Sequence, residues 1–288
     1  MRILILGSSG MLGRYILKEL KNVHKVFHNG IKKRKYSLSD TLKLKKLIIE
    51  SNPQVIINTS GVTSIELCEK NKEKSKKINV VMVKKVFELE KKLKKNFKFI
   101  QISTDQLYDS KNKKKGVETS KPKINNEYAR QKYRAEEICK KNKSIILRTN
   151  FFGKSLIKKQ SFSDWAVKTF REKKFFFLVD NVLITPLRMK TISKIISKLL
   201  KVKNLRRHGV YNLGSRDGIS KKNLALKFAS ILNIKNKLFK IRKINDICDV
   251  RRSENMMMNV SKFEKTFSII LPTIDEEIKS EILNYEKN

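Results

Sequence analysis

Apolar residues open the chain as a nearly unbroken run, Met1-Arg2-Ile3-Leu4-Ile5-Leu6, and then change period: between Met11 and Leu20 they recur every three or four positions. A short apolar run ending in glycine reads as a buried strand, and a period of about 3.6 reads as a helix with one apolar face. The same alternation continues. It predicts strands at residues 23–28, 55–59 and 97–103, and helices at 42–50, 74–95 and 127–140. Further on it predicts a buried strand through Phe175-Phe176-Phe177, a helix at 189–200 and a strand at 209–213. Repeated strand–helix–strand units imply an α/β fold, a doubly wound parallel sheet with helices on both faces and right-handed crossovers.

The turn after the first strand is Gly7-Ser8-Ser9-Gly10-Met11-Leu12-Gly13. Glycine is required where backbone takes positive φ or must approach a ligand with no Cβ in the way, and the following helix offers free N–H groups to phosphate. The spacing GxxGxxG differs from the general GxGxxG dinucleotide fingerprint, and its position directly after the first strand supports the reading as a dinucleotide cradle. Gly7, Ser9, Gly10, Met11, Leu12 and Gly13 are therefore candidate cofactor-binding residues. An NAD site usually carries Asp or Glu after the second strand. Here His28-Asn29-Gly30 is followed by Lys32-Lys33-Arg34-Lys35, a basic run suited to the extra phosphate of NADPH, with NADH as the alternative.

With 288 residues the chain is long enough for one domain with an appendage or two small ones. No stretch reaches the ~20 apolar residues of a membrane span, and residues 1–6 are too short for a signal-peptide core. Cys68, Cys139 and Cys248 have no paired spacing, so neither a disulfide framework nor a metal site is indicated. A cytoplasmic location is the expectation. The net charge of +40 raises the question of nucleic acid. Its lysines, however, are spread along nearly every helix without a recognition motif, so nucleic acid is not expected as the physiological ligand. The charge still favours anionic substrates.

Tyr128 and Lys132 lie one helical turn apart on a common face. A neighbouring ammonium stabilises phenolate and makes the tyrosine a better proton donor to a carbonyl. Thr104, in Ser103-Thr104-Asp105 at the end of the preceding strand, is placed to hydrogen-bond the same oxygen.

These residues resemble the extended short-chain dehydrogenase/reductases, and within them the dTDP-4-dehydrorhamnose reductases. Residues 103–109, STDQLYD, are similar to their STDYVFD, and 128–136 to YGxTKxxGE. Leu147-Arg148-Thr149 matches LRT, 180–186 resembles DQxGxPT, and 252–259 with Lys262-Phe263 resembles RPxNSxLN and KF. Leu271-Pro272 matches the closing LP. The resemblance implies catalytic Thr104, Tyr128 and Lys132, with Tyr128 and Lys132 also holding the cofactor. It adds Asp40, Ser60, Gly61 and Thr63 to the cofactor contacts and Asp105, Asn150 and Arg252 to those of a nucleotide-sugar substrate, Arg252 as the candidate for the diphosphate. It further implies a Rossmann-like domain over residues 1–150, regaining 181–214, with a smaller interleaved C-terminal substrate-binding lobe from 151–180 and 215–288, and a homodimer by analogy.

The departures from that pattern matter. Ser60-Gly61-Val62-Thr63 stands for an alanine-rich turn, Ser37 lies three residues before Asp40, and Ser253 and Met256 replace proline and serine. The sugar therefore stays open. Gln106 cannot act as the base of the related dehydratases. A sugar-nucleotide epimerase and a non-catalytic NADP-binding regulatory subunit remain as alternative readings. Met256-Met257-Met258 reads equally as pocket lining or as core, and His24, His28 and His208 have no metal-ligand spacing.

Overall fold

The opening apolar run forms β1 (Arg2–Leu6), whose side chains from Ile3 to Leu6 are wholly buried. Burial on both faces explains why the run does not alternate. The computed structural model describes residues 1–29, 38–172, 175–235 and 238–286. The described chain divides into two units. Met1–Thr104, Asn126–Arg148 and Ile192–Tyr211 form the first; Asp105–Asn125, Thr149–Thr191 and Asn212–Asn288 form the second.

After β1 come α1 (Met11–Leu20), β2 (Lys25–His28), α2 (Thr41–Ser51) and β3 (Val55–Asn58). Next are α3 (Ile65–Lys70), α4 (Lys72–Lys76), α5 (Met82–Lys92), β4 (Lys98–Thr104), α6 (Glu127–Lys141) and β5 (Ile145–Thr149). Strand β6 (Gly209–Leu213) completes a six-stranded sheet of order β6-β5-β4-β3-β1-β2. Strand β1 runs parallel to β2 and β3, and β3 parallel to β4. The order reverses between β1 and β3. In open α/β sheets such a switch point, at the carboxyl ends of the strands, is where ligands bind. Leu4, Leu6 and Ile56 pack with Leu47, Val86, Phe87, Phe99 and Ile146 in a core beneath the helices.

The helix expected at 74–95 is different in detail. It begins earlier, after a separate α3 capped by the Ser64 hydroxyl, which accepts from the Leu67 N–H at 3.2 Å. Between α4 and α5, Lys77–Val81 forms a π turn. The helix stops at Lys92, and Lys94 takes a left-handed φ of 48°. Helix α3 is only six residues long, too short for a periodic apolar face to register in the sequence.

In the second unit the helices Phe162–Arg171 and Lys221–Ile231 enclose an apolar cluster of Ala166, Phe170, Phe176, Leu178 and Ala225. Phe176–Val179 pairs in parallel with Phe239–Arg242. The Phe175–Phe177 run is therefore not uniformly buried: Phe176 points inward, while Phe175 and Phe177 are 56% and 40% exposed. Strand alternation with one covered face accounts for the difference. The last helix, Ile274–Glu286, is tied to its unit by Glu277, which accepts from the Arg188 N–H at 2.5 Å and the Thr191 hydroxyl at 2.7 Å. Among the described residues no helix is long and apolar enough to cross a membrane, and no cluster of His, Cys, Asp or Glu is suited to a metal.

Candidate active site

The glycine turn is shaped by close backbone approach. Gly7 takes φ +85°, and a Cβ on it would lie 2.5 Å from the Ser60 backbone nitrogen. A Cβ on Gly13 would meet the Gly7 carbonyl oxygen at 2.2 Å, whereas one on Gly10 would approach it only to 3.3 Å. The Gly10 N–H donates to the Gly7 carbonyl at 3.0 Å, and the Gly7 N–H donates to the Asn29 side-chain oxygen at 2.8 Å. Gly10, the cap residue of α1, provides no side-chain cap, so the first N–H groups of this helix are not satisfied by one. The buried Ser8 Oγ and Arg14 Nε have no partner among the described residues. Arg14 also acts on His28 at the end of β2: burial first, and then the Arg14 charge, hold that imidazole below its ordinary pKa. The basic run at 32–35 lies outside the described residues.

The turn after β3 is held from below. Asn58 Oδ1 accepts from the Ser60 N–H at 3.1 Å and from its hydroxyl at 2.5 Å. Asn79, presented inward by the π turn, accepts from the Val62 N–H at 2.8 Å and donates to the Val62 carbonyl at 3.0 Å and Gln131 Oε1 at 2.8 Å. Gln131 passes the chain on to Ser75 Oγ at 2.8 Å. Gly61 and Thr63 stay exposed on this turn. Sequence reasoning missed Asn79 and Gln131. The available signals were an amide within the apolar stretch Ile78 to Met82 and another between Tyr128 and Lys132. Asp40 has a local task as well: its Oδ1 accepts from the Leu42 and Lys43 N–H groups and caps α2.

Thr104 ends β4, while Tyr128 and Lys132 occupy the first turns of α6, which packs on β4. All three are buried. Asn126 caps α6 by accepting from the Ala129 N–H at 2.9 Å. Lys132 Nζ donates to the Ile102 carbonyl at 2.6 Å, which fixes the ammonium against β4 two residues before Thr104. Burial lowers the Lys132 pKa to about 8, and the nearby Glu136 carboxylate opposes that shift. Glu136 accepts from Ser103 Oγ at 2.6 Å and from Arg148 Nη2 at 2.7 Å. Cys139 lies behind them with its thiol pushed up by burial, and burial likewise raises Cys68 beside Asn79.

In the second unit Asn150 Nδ2 donates to Asp105 Oδ2 at 2.6 Å. Lys221, at the start of its helix, shares this neighbourhood: burial lowers its ammonium, Asp105 raises it and Arg252 lowers it again. Lys221, which no sequence motif had marked, thus feels the charges of both Asp105 and Arg252, and Asp105 is bonded to Asn150. A cavity of about 1250 Å³ in this unit is lined by residues including Asp109, Asn125, Asp180, Ser220 and Arg251. All three methionines of the 256–258 run are buried, and Met257 also lines this cavity.

The parallel sheet, the glycine turn at its switch point and the Tyr-x-x-x-Lys helix beside a strand ending in Thr define a Rossmann-like fold of the extended short-chain dehydrogenase/reductase class. Within that class the chain belongs to the RmlD substrate binding domain family, whose model matches residues 1–286. It is 22% identical over 202 residues to the spore coat polysaccharide biosynthesis protein SpsK of Bacillus subtilis, covering 69% of each chain. A dTDP-4-dehydrorhamnose reductase from Clostridium acetobutylicum superposes with a TM-score of 0.88 at 22% identity, covering 99% of this chain and 100% of the other. The dTDP-4-dehydrorhamnose reductase of Bacillus anthracis, solved in complex with NADP, superposes with a TM-score of 0.85 at 20% identity, covering 98% of both chains.

Proposed function

We propose that this chain is an NADPH-dependent reductase of a nucleotide-linked 4-keto-6-deoxysugar, converting dTDP-4-dehydrorhamnose to dTDP-L-rhamnose. The observation that carries the reading is the Lys132 ammonium, anchored on the Ile102 carbonyl one helical turn from Tyr128 and on the strand that ends in Thr104. The glycine turn fits the cofactor. Gly7 and Gly13 leave no room for a Cβ, and Ser8 Oγ and Arg14 Nε are buried polar groups suited to phosphate. Arg14 beside His28, in place of an acid, favours NADPH over NADH.

Bound NADPH supplies a hydride for the keto carbon. Tyr128 gives its phenolic proton to the keto oxygen, and the Lys132 ammonium stabilises the phenolate left behind. The Thr104 hydroxyl donates to the same oxygen as charge develops on it. The first unit is assigned to the dinucleotide and the second to the nucleotide sugar. There Arg252 recognises the diphosphate. The product serves cell-surface polysaccharide synthesis from the cytoplasm, and a homodimer is the assembly proposed.

The test follows NADPH oxidation with dTDP-4-dehydro-6-deoxy-L-mannose. Tyr128→Phe should lower kcat by about 100-fold or more, the range of a lost general acid, with NADPH affinity within about twofold. Wild-type protein that binds NADPH and leaves this sugar unreduced would overturn the substrate assignment.

A further inference from the structure

The charged groups behind the Tyr128–Lys132 face form a continuous, almost anhydrous chain. Glu136 and Arg148 are 0% and 1% exposed. The guanidinium grips the carboxylate through two nitrogens, Nε at 3.0 Å from Oε1 and Nη2 at 2.7 Å from Oε2. A third donor, Ser103 Oγ, reaches Oε1 at 2.6 Å. Ser103 immediately precedes Thr104 on β4, and Glu136 lies one turn beyond Lys132 on α6. The carboxylate therefore joins three elements: the strand that presents Thr104, the helix that presents Tyr128 and Lys132, and β5, which brings Arg148.

We infer that Glu136, clamped by Arg148 and Ser103, is a positioning residue for the reductase: it fixes the end of β4 against α6 and sets a carboxylate one helical turn from the Lys132 ammonium. This rests on the proposed reductase reading. Replacing a buried ion pair with apolar groups is often neutral for stability, so holding the fold does not by itself require a charged pair at this position. Among the described residues, the ionisable groups that act on Lys132 are Glu136 and Cys139 on its own helix, with Arg148 behind Glu136 on β5. From β4 the partner is the neutral Ile102 carbonyl. Glu136 raises the proton affinity of Lys132, while burial lowers it. Without the carboxylate the lysine loses its proton at lower pH.

The experiment compares wild type with Glu136→Gln and with the paired replacement Glu136→Gln/Arg148→Met, which avoids leaving a buried guanidinium without its acid. Ser103→Ala serves as a third variant that breaks the link to β4 and keeps the ion pair. Thermal unfolding establishes that each is folded. Two pH profiles are then recorded: kcat for the keto sugar, and NADPH affinity from cofactor fluorescence, with Lys132→Met as the control that should abolish the alkaline inflection. The paired variant should move the alkaline limb of both profiles down by about one pH unit, with KM for the sugar within about twofold, and Ser103→Ala should lower kcat without moving the limb. A folded paired variant whose limbs stay at the wild-type pH would overturn the inference, since a purely structural clamp changes amplitude and leaves the limb in place. If wild type binds NADPH and reduces no sugar, the reductase reading fails, while the fluorescence inflection still decides the role of Glu136.

Discussion

Lys132 shows the tension between stability and reactivity at a single residue. Its pKa falls from 10.5 to about 8 because burial opposes the charge more strongly than Glu136 supports it. The lysine pKa is depressed in the folded state, so between about 8 and 10.5 the unfolded chain binds the proton more tightly. The cost of burying the ammonium is thus complete below pH 8 and is relieved as pH rises toward 10.5. The shift corresponds to about 3 kcal/mol. Lys132→Met should accordingly be inactive yet more stable at pH 7, by up to that amount less the lost Ile102 hydrogen bond. The gain should shrink by pH 10. Urea unfolding of the two proteins at both pH values checks this, and a variant less stable than wild type at pH 7 would show that the hydrogen bond outweighs the desolvation.

At the scale of elements, the strand–turn–helix at the start of the chain depends on glycine unequally along its length. Gly13→Ala forces a Cβ to 2.2 Å from the Gly7 carbonyl oxygen, in rigid backbone, whereas Gly10→Ala meets its nearest neighbour at 3.3 Å. Gly13→Ala should destabilise by at least about 2 kcal/mol and lose NADPH binding, and Gly10→Ala should retain the fold. Differential scanning fluorimetry with and without NADPH separates the two cases. The strands and helices of the sheet were legible because burial on two faces or on one stripe leaves a period in the sequence. The π turn at Lys77–Val81 and the short α3 were not, because a single turn carries no period of its own. Thr104, Tyr128 and Lys132 could be nominated from spacing and chain order. Asn79 was marked only by an amide within an apolar stretch and Lys221 by no motif, since each gains its meaning from segments distant in sequence.

For the whole molecule, the charge of +40 is carried mainly as a solvated coat. Pairs such as Lys46–Glu50, Lys84–Glu88 and Lys140–Glu137 lie within single helices and on exposed side chains, where each contributes only tenths of a kcal/mol. The charge pairs that organise structure are the buried ones, Arg148–Glu136 in the first unit and Arg188 with Glu277 in the second. Division of the chain into units is the feature least visible in its sequence. Asp105–Asn125 leaves the first unit directly after Thr104 and contributes Asp109, which accepts from the Glu254 N–H at 2.9 Å. No composition change marks that crossing, because its anchors, such as Asn125 Nδ2 on Ser253 Oγ at 3.0 Å, are single contacts to segments distant in sequence.

The placement of the three thiols turns the molecule into its own reporter of opening. Cys68 and Cys139 are 0% exposed and burial disfavours their thiolates, while Cys248 is partly accessible. An aromatic disulfide reagent should therefore titrate one equivalent per chain under native conditions and three in denaturant. The slow appearance of the second and third equivalents would time the excursions in which the first unit exposes its interior, with no label added and no residue changed. Rapid release of all three from folded protein would contradict the burial described for Cys68 and Cys139. Slowing of the late equivalents by NADPH would locate cofactor binding in the same cooperative unit that shelters them.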